Sequence, residues 1–440
     1  LGCYTSFMVA SRLEIQSLSY REGAEPIHCR CEGNPEYHLE KGSRTERGTD
    51  IILHIDSESE EFLSKDRLST LLNKYCKFLP VPIVFGKKQE WKDGAYVDTD
   101  EDNQINDVHP AWTKKPSELK DEDYTAFYHQ LYPQTFEEPL FWIHLNVDYP
   151  FNLTGILYFP KVKNQMELQR NKIQLYANQV FVTEDVEGIV PEYLTLLHGV
   201  IDSPDIPLNV SRSYLQSDAQ VKKISNHISK KVADRLDELF RNERSLFEEK
   251  WESLKVFVQY GMLSDEKFYD RAVKFDLVTD IEGKHFTLDE YRTLTEGEQT
   301  DKEGQLIWLY TNDRNSQYTA IERAKAKGYS VLLLDGPLDV HAVSQLEQKL
   351  EKTRFVRVDS DSIDKLIAKE EQRTIQLSDI EQKALKSLFE GRLPREEKRN
   401  YSVSLEALGA DADAVLITQG EFMRRMQEMA RLQPGVNFYG

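Results

Sequence analysis

Between Leu215 and Leu239 the apolar residues fall at Leu215, Val221, Ile224, Ile228, Val232, Leu236 and Leu239, a helical spacing. A run of that length reads as an amphipathic helix with one face committed to a core. It is entered through residues 199–217, a loop shaped by two prolines. Pro204 and Pro207 fix their own φ and push the residue before each toward extended geometry. Asn209 and Ser211 then offer side-chain oxygens for capping, so the helical region is expected from Ser211 to about Tyr260. Arg212 falls in the first turn, where the positive end of the helix dipole disfavours a cation unless an anion meets it. Exposed amides at a helix start plus a guanidinium make a phosphate site that grips two oxygens at once. Gln216, four residues on, shares the face of Arg212. An ordinary capped surface helix, with Arg212 paired to a carboxylate such as Asp205, explains the same residues without a ligand.

With 440 residues the chain exceeds a single core and predicts roughly two to four domains. Its net charge of -19 argues against a nucleic-acid partner, which needs basic surface. No apolar run approaches a membrane span and no signal peptide is evident, so no membrane partner is expected. The 4 cysteines all lie at or before Cys76, a pattern that suits a reducing cytoplasm and not a disulfide framework. The chain opens on Leu1, directly on a motif, and is read as a fragment.

In chain order, a small-residue turn at Gly2 leads through a short helix to a strand from Leu13. Residues 26–56 are strand-like, with Arg47–Ile55 read as a turn and a buried strand. His28, Cys29 and Cys31 lack a fourth ligand at zinc spacing, and on a strand the two cysteines share a face while His28 points away, so no metal is assigned. An amphipathic helix is expected over 60–79, with Phe62, Leu63, Leu68, Leu71, Leu72 and Tyr75 on its buried side. Residues 87–108 are charged and nearly free of apolar side chains, and read as a flexible linker. Strands are expected at Leu153–Pro160 and Ile173–Glu184, and a helix at Tyr193–Val200. Lys222, Lys223, Lys230 and Lys231 read as a solvated helix face. Leu306–Thr311, Gln317–Lys327 and Ser330–Asp335 read as a βαβ unit without a dinucleotide glycine fingerprint, with Trp308 in the core. Further strands are expected at Tyr401–Leu405 and Ala414–Thr418, after a helix at Ile380–Phe389. In the helix from Glu421 to Met429, Met423, Met426 and Met429 are half of the chain's 6 methionines. With Phe422 they form a deformable apolar surface suited to many protein partners, or the packing face of a helix on its own sheet.

The run Ile201-Asp202-Ser203-Pro204-Asp205-Ile206-Pro207-Leu208-Asn209-Val210-Ser211-Arg212, followed by Leu215-Gln216, resembles the catalytic loop of the heat-shock protein 90 family of molecular chaperones in its bacterial form. That resemblance implies that Arg212 reaches from a middle domain to the γ-phosphate of ATP, as an arginine finger, with Asn209 and Gln216 as its companions. Ser213 departs from the glutamate usual after that arginine, and Asn178-Gln179 stands where many relatives carry two arginines. Gly2 matches the last glycine of the family's ATP lid, with Cys3 where a phenylalanine is usual, and Thr49 matches its Gly-Thr segment near the nucleotide. Phe422, Met423, Met426 and Met429 match a helix associated with unfolded clients.

The fold implied is a multidomain α/β and α+β chain. It comprises the remnant of a GHKL-type ATPase sandwich (1–86), the charged linker (87–108), and a middle domain of α/β units joined by a long helical region (109–365). A small mixed α/β start of a C-terminal domain (366–440) follows, without the dimerisation helices. The resemblance implies a cytoplasmic stress-response ATPase, homodimeric at full length and using ATP with Mg2+, whose partners are unfolded or partly folded proteins. The family's general-base glutamate, adenine-binding aspartate and magnesium-holding asparagine are expected upstream of Leu1. The fragment is therefore expected to bind no nucleotide and to hydrolyse none alone. The alternative is a non-enzymatic client-binding module built on the middle domain and the Met-rich helix.

Overall fold

Alternating side chains from Ala10 onward build the first sheet. The computed structural model describes residues 2–34, 36–92, 94–161, 172–186, 188–206, 219–369, 375–394, 401–407, 414–421 and 423–426. They fall into two compact units, residues 1–114 with 176–182, and residues 115–175 with 183–440. In the first, helix α1 (Gly2–Ser6) leads into β1 (Ala10–Leu18), followed by β2 (Ile27–Cys31), β3 (Tyr37–Lys41) and β4 (Gly48–Ile55). They pair antiparallel in the order β3-β2-β1-β4. Gln16 stands opposite His28, and His28 opposite Glu40, so one face of the sheet is polar. The other carries Ile15, Cys29, Leu39, Ile51 and Leu53. The expectation of a buried strand at 51–55 is corrected: Ile51 is 65% exposed and Leu39 63%. Alternation marks a face that a second layer can cover, and here the cover is partial: Leu13 on that face is buried while Ile51 and Leu39 stay exposed.

The helix expected over 60–79 is shorter. A 3-10 turn at Glu60–Leu63 precedes α2 (Lys65–Tyr75), whose N-cap Ser64 accepts from the Arg67 amide, and neither element buries a residue. Residues 87–108, expected to be a flexible linker, instead form most of an antiparallel hairpin, β5 (Val84–Lys92) with β6 (Ala95–Gln104). Composition shows the charge but not its pairing. Lys87 bonds Asp102, Lys88 bonds Glu101 and Gln89 bonds Asp98, each at 2.8 Å. Trp91 meets Tyr96 edge to face at 4.9 Å. Complementary cross-strand pairs let a polar ribbon close without a core. Beyond it, buried Asn106 donates to the carbonyls of Leu79 and Val81 and accepts from the Ile83 amide. Phe78, Trp112 and Tyr176 pack as an aromatic cluster in the same unit.

The second unit begins with α3 (Asp121–Leu131), then β7 (Phe141–Val147) and β8 (Leu153–Phe159). The single strand expected over 173–184 is a hairpin of β9 (Lys172–Ala177) and β10 (Val180–Thr183), whose residues 176–182 are grouped with the first unit, because Asn178 and Gln179 take left-handed φ of 51° and 65° and turn the chain. The helix expected at 193–200 is also corrected. Only Glu192–Leu196 winds, as a 3-10 turn, and His198–Asp202 is strand β11, buried throughout and paired with β8. The two backbones nearly touch: a Cβ on Gly199 would lie 2.0 Å from the Ile156 carbonyl oxygen.

The long helical region is two helices, α4 (Ala219–Asn242) and α5 (Arg244–Ser264), separated at Glu243, whose φ of -136° is not helical. Val221, Ile224, Ile228, Val232, Leu236 and Leu239 are buried, as their spacing requires, and Lys222, Lys223, Lys230 and Lys231 are exposed. Helix α6 (Glu266–Ala272) starts at Asp265, which accepts from the Lys267 and Phe268 amides. A small ribbon, β12 (Leu277–Thr279) with β13 (His285–Thr287), leads into α7 (Leu288–Gln299) through a Thr287/Glu290 capping box. The βαβ reading stands: β14 (Leu306–Thr311), α8 (Tyr318–Ala326) and β15 (Val331–Leu333) are followed by α9 (Asp339–Lys349) and β16 (Thr353–Arg357). The strands run parallel in the order β15-β14-β16. Trp308 is fully buried and donates from its ring nitrogen to Thr295 at 2.9 Å. Short α10 (Ile363–Leu366) and α11 (Asp379–Glu390) follow. The strands expected at 401–405 and 414–418 do not form among the described residues.

Candidate functional site

The loop singled out by sequence begins where β11 ends. Ser203, wholly buried, donates to the Asn152 carbonyl at 2.7 Å and accepts from the Asp205 amide at 3.3 Å. The Asp205 carboxylate accepts from the Asn152 amide at 2.7 Å. The entrance to the loop is thus stitched to the turn between β7 and β8 by two hydrogen bonds and braced within itself by a third. These bonds also occupy one oxygen of Asp205, the carboxylate considered as a partner of Arg212. Arg212, Asn209 and Gln216 lie outside the described residues. Past them, α4 is held by Ser229, which shares a 2.5 Å hydrogen bond with the Tyr193 hydroxyl. Burial, aided by Lys231 and Lys230, lowers the pKa of His227, whose ring meets Phe151 edge to face at 5.5 Å.

The two nucleotide candidates of the first unit are not brought together. Gly2 opens α1, which leads into the Ala10 end of β1. Thr49 sits opposite Ser17 near the other end, where their hydroxyls share a 2.8 Å hydrogen bond. At about 3.3 Å per residue those ends stand roughly 20 Å apart. Among the described residues no cluster of three or more His, Cys, Asp or Glu is placed to hold a metal ion.

What sequence reading missed in this unit is a polar relay on the sheet. Glu14 accepts from His28 at 3.0 Å and His54 at 2.7 Å and pairs with Arg12 at 3.1 Å, and His28 meets Glu40 at 2.9 Å. Desolvation alone would raise the Glu14 carboxyl, but the two histidines and Arg12 hold it below the ordinary range. Alternation along four strands was the available signal; the register that unites them was not.

In the helical segment containing Glu421 and 423–426, the methionine reading meets two arginines. Met423 is 49% exposed and Met426 half-buried, while Phe422 and Met429 lie outside the described residues. Arg424 is buried and pairs with Asp359, which also receives Arg357 at 2.7 Å. Burial alone would raise the Asp359 carboxyl, yet the two guanidinium groups hold it low. Arg425 bonds Glu347 and, at 2.8 Å, Glu421. Desolvation works against its charge, and these carboxylates reverse that and raise its pKa. Tyr310 donates to Glu421 at 2.7 Å. The segment is therefore docked by ions onto the edge of the parallel sheet, with a methionine left facing water. A Glu-to-Arg pair four residues apart was the signal in the sequence.

Comparison with known proteins adds the following. The family described as "Hsp90 protein" matches residues 92–433. A protein of Porphyromonas gingivalis named "Chaperone protein HtpG" is 67% identical over 440 residues, covering 100% of this chain and 64% of its own length. The Bacteroides fragilis protein named "Chaperone protein htpG" is 61% identical with the same coverage. A "Chaperone protein HtpG" of Dechloromonas aromatica is 31% identical, covering 79% of this chain and 55% of its own length. The chain thus spans 64% of the length of its most similar curated relatives named here.

Proposed function

The chain belongs to the Hsp90 protein family, and from that premise we propose that the whole protein is an ATP-dependent molecular chaperone of the HtpG type. It holds unfolded or partly folded proteins, works as a cytoplasmic homodimer, and uses ATP with Mg2+. Arg212 supplies the positive charge that stabilises the transferring phosphoryl group, with Asn209 and Gln216 beside it on the loop and helix start. The observation that carries this reading is the Pro207–Gln216 motif, set in a chain matched to the family from 92 to 433. The bonds that fix Ser203 and Asp205 to Asn152 support it, since a finger needs a rigid knuckle. Gly2 and Thr49 contribute at most separate parts of a nucleotide site.

Steady-state ATP hydrolysis by a protein of the relatives' full length tests it. Arg212→Ala should lower kcat by about 10³-fold, the scale of a lost arginine finger, with KM little changed. The 440-residue chain should show no Arg212-dependent turnover. An unaltered kcat in the Arg212 variant would sink the reading. A non-enzymatic holding module is the second reading, favoured by the exposure of Met423. It gains if the 440-residue chain suppresses aggregation of a model client without nucleotide and Met423→Glu with Met426→Glu abolishes this.

A further inference from the structure

We propose that the outer edge of β16 is a strand-addition site for an extended stretch of client polypeptide, guarded by Glu421 and Arg425. The inference deepens the client-holding reading and rests on it. β16 is the last strand in the order β15-β14-β16. Its even-numbered neighbours face β14: the Leu306 amide donates to the Lys352 carbonyl at 2.7 Å, and the Val358 amide to the Tyr310 carbonyl at 2.8 Å. Parallel pairing then turns the main-chain groups of Phe355 and Arg357 outward.

An open edge normally meets water or another strand. Here it meets charged side chains. The Phe355 amide donates to Glu347 at 2.6 Å and the Arg357 amide to Glu421 at 3.0 Å. The Phe355 carbonyl accepts from Arg425. A donor at 355, an acceptor at 355 and a donor at 357 are the groups that an added strand would engage, at the same two-residue interval. Glu347 of α9, together with Glu421 and Arg425, which are one helical turn apart and paired at 2.8 Å, thus imitate a missing strand with side chains.

The imitation is exchangeable. A peptide main chain can supply the same acceptors and donor, and the two displaced carboxylates and the guanidinium regain water, so the exchange conserves hydrogen bonds. The occupant the edge fits is therefore an extended polypeptide recognised by its backbone, as an unfolded protein presents it. Met423, exposed beside the guard, offers that peptide a deformable apolar contact.

The test uses the whole chain and a synthetic peptide of about ten residues alternating Val and Thr, a strongly β-forming pattern. Arg425→Leu and, separately, Glu421→Gln should each bind it about tenfold or more tightly than the unaltered chain. Peptide binding should slow amide exchange at Phe355 and Arg357, and a backbone N-methylated copy should do neither. Because Arg425→Leu removes a docked charge, protection at the Leu309 amide verifies that it folds, and Glu421→Gln carries the test if it does not. Equal binding of the N-methylated peptide, or binding that leaves the 355 and 357 amides unmoved, overturns the proposal. Aggregation suppression with those amides unmoved leaves the chaperone reading standing and the edge refuted. Protected amides in a chain that holds no unfolded client do the reverse.

Discussion

The sheet β3-β2-β1-β4 alternates apolar with polar residues, the sheet β15-β14-β16 is built on near-continuous apolar strands, and the fold treats their apolar residues differently. In the first, Ile51 is 65% exposed; in the second, Leu309 is 0%. The second sheet is covered on both faces. Ile321 and Ala324 of α8, with Leu366 and Ile367, pack with Ile307 and Leu309, while Tyr291 and Phe355 close around Trp308. The first has one face organised by the Glu14 relay and the other covered only in part, with Leu13 buried and Ile51 and Leu39 exposed. Strand propensity proposes a buried face, but a second layer is what removes it from water.

Substitutions of one chemical kind should break or sharpen that contrast. Leu309→Ala should destabilise its unit by about 3 kcal/mol, as a large-to-small change in a packed core. Ile51→Ala, in the first unit, should stay within about 0.5 kcal/mol. Denaturant titration, with hydrogen exchange to locate each transition, measures both; equal losses would erase the distinction.

A smaller effect comes from a charge buried in the second unit. Burial, and then the neighbouring Asp339, push the Asp276 carboxyl up to about 7 against the pull of Lys255 and of the Leu277 amide. The folded chain therefore keeps a proton that the unfolded chain releases near pH 4. Stability from this group is full below about pH 4, falls as pH rises toward 7, and levels off above. Asp276→Asn should flatten that slope and stabilise the unit by about 2 kcal/mol at pH 8. Thermal unfolding across pH 4–9 checks it; an unchanged slope would show that Asp276 is ionised throughout.

The smallest effect belongs to the solvated relay. Glu14 is held below its ordinary value, so its contribution is present above the unfolded carboxyl pKa and lost as acid protonates it. Glu14→Gln should lower the unfolding midpoint of the first unit slightly at pH 7. The gap from the unaltered chain should narrow as the pH falls below the ordinary carboxylate range. A gap that persists in acid would assign the loss to packing.

Much of the second unit was legible in the sequence because its signals are local. The period of α4, the βαβ run from Leu306 and the helix around Ile380–Phe389 each follow from residues a few positions apart. The hairpin at 84–104 was not legible, since its stability lies in which lysine faces which acid. Strand β11 was hidden as well: Gly199 and Gly155 allow backbones to approach closely, and glycine leaves no apolar pattern to read. At the candidate site, the Pro207–Gln216 motif was carried by the sequence alone, while the Asn152 anchor of Ser203 and Asp205 joins residues some fifty positions apart.

The sequence by itself carried the family motif and the helical periods, because each is encoded in short-range spacing. Tertiary structure alone decided which apolar faces leave water, which histidines meet Glu14, and that Glu421 and Arg425 lie against the free edge of β16. Those outcomes depend on register and layering, which bring together groups far apart along the chain, and no local pattern fixes a distance between them.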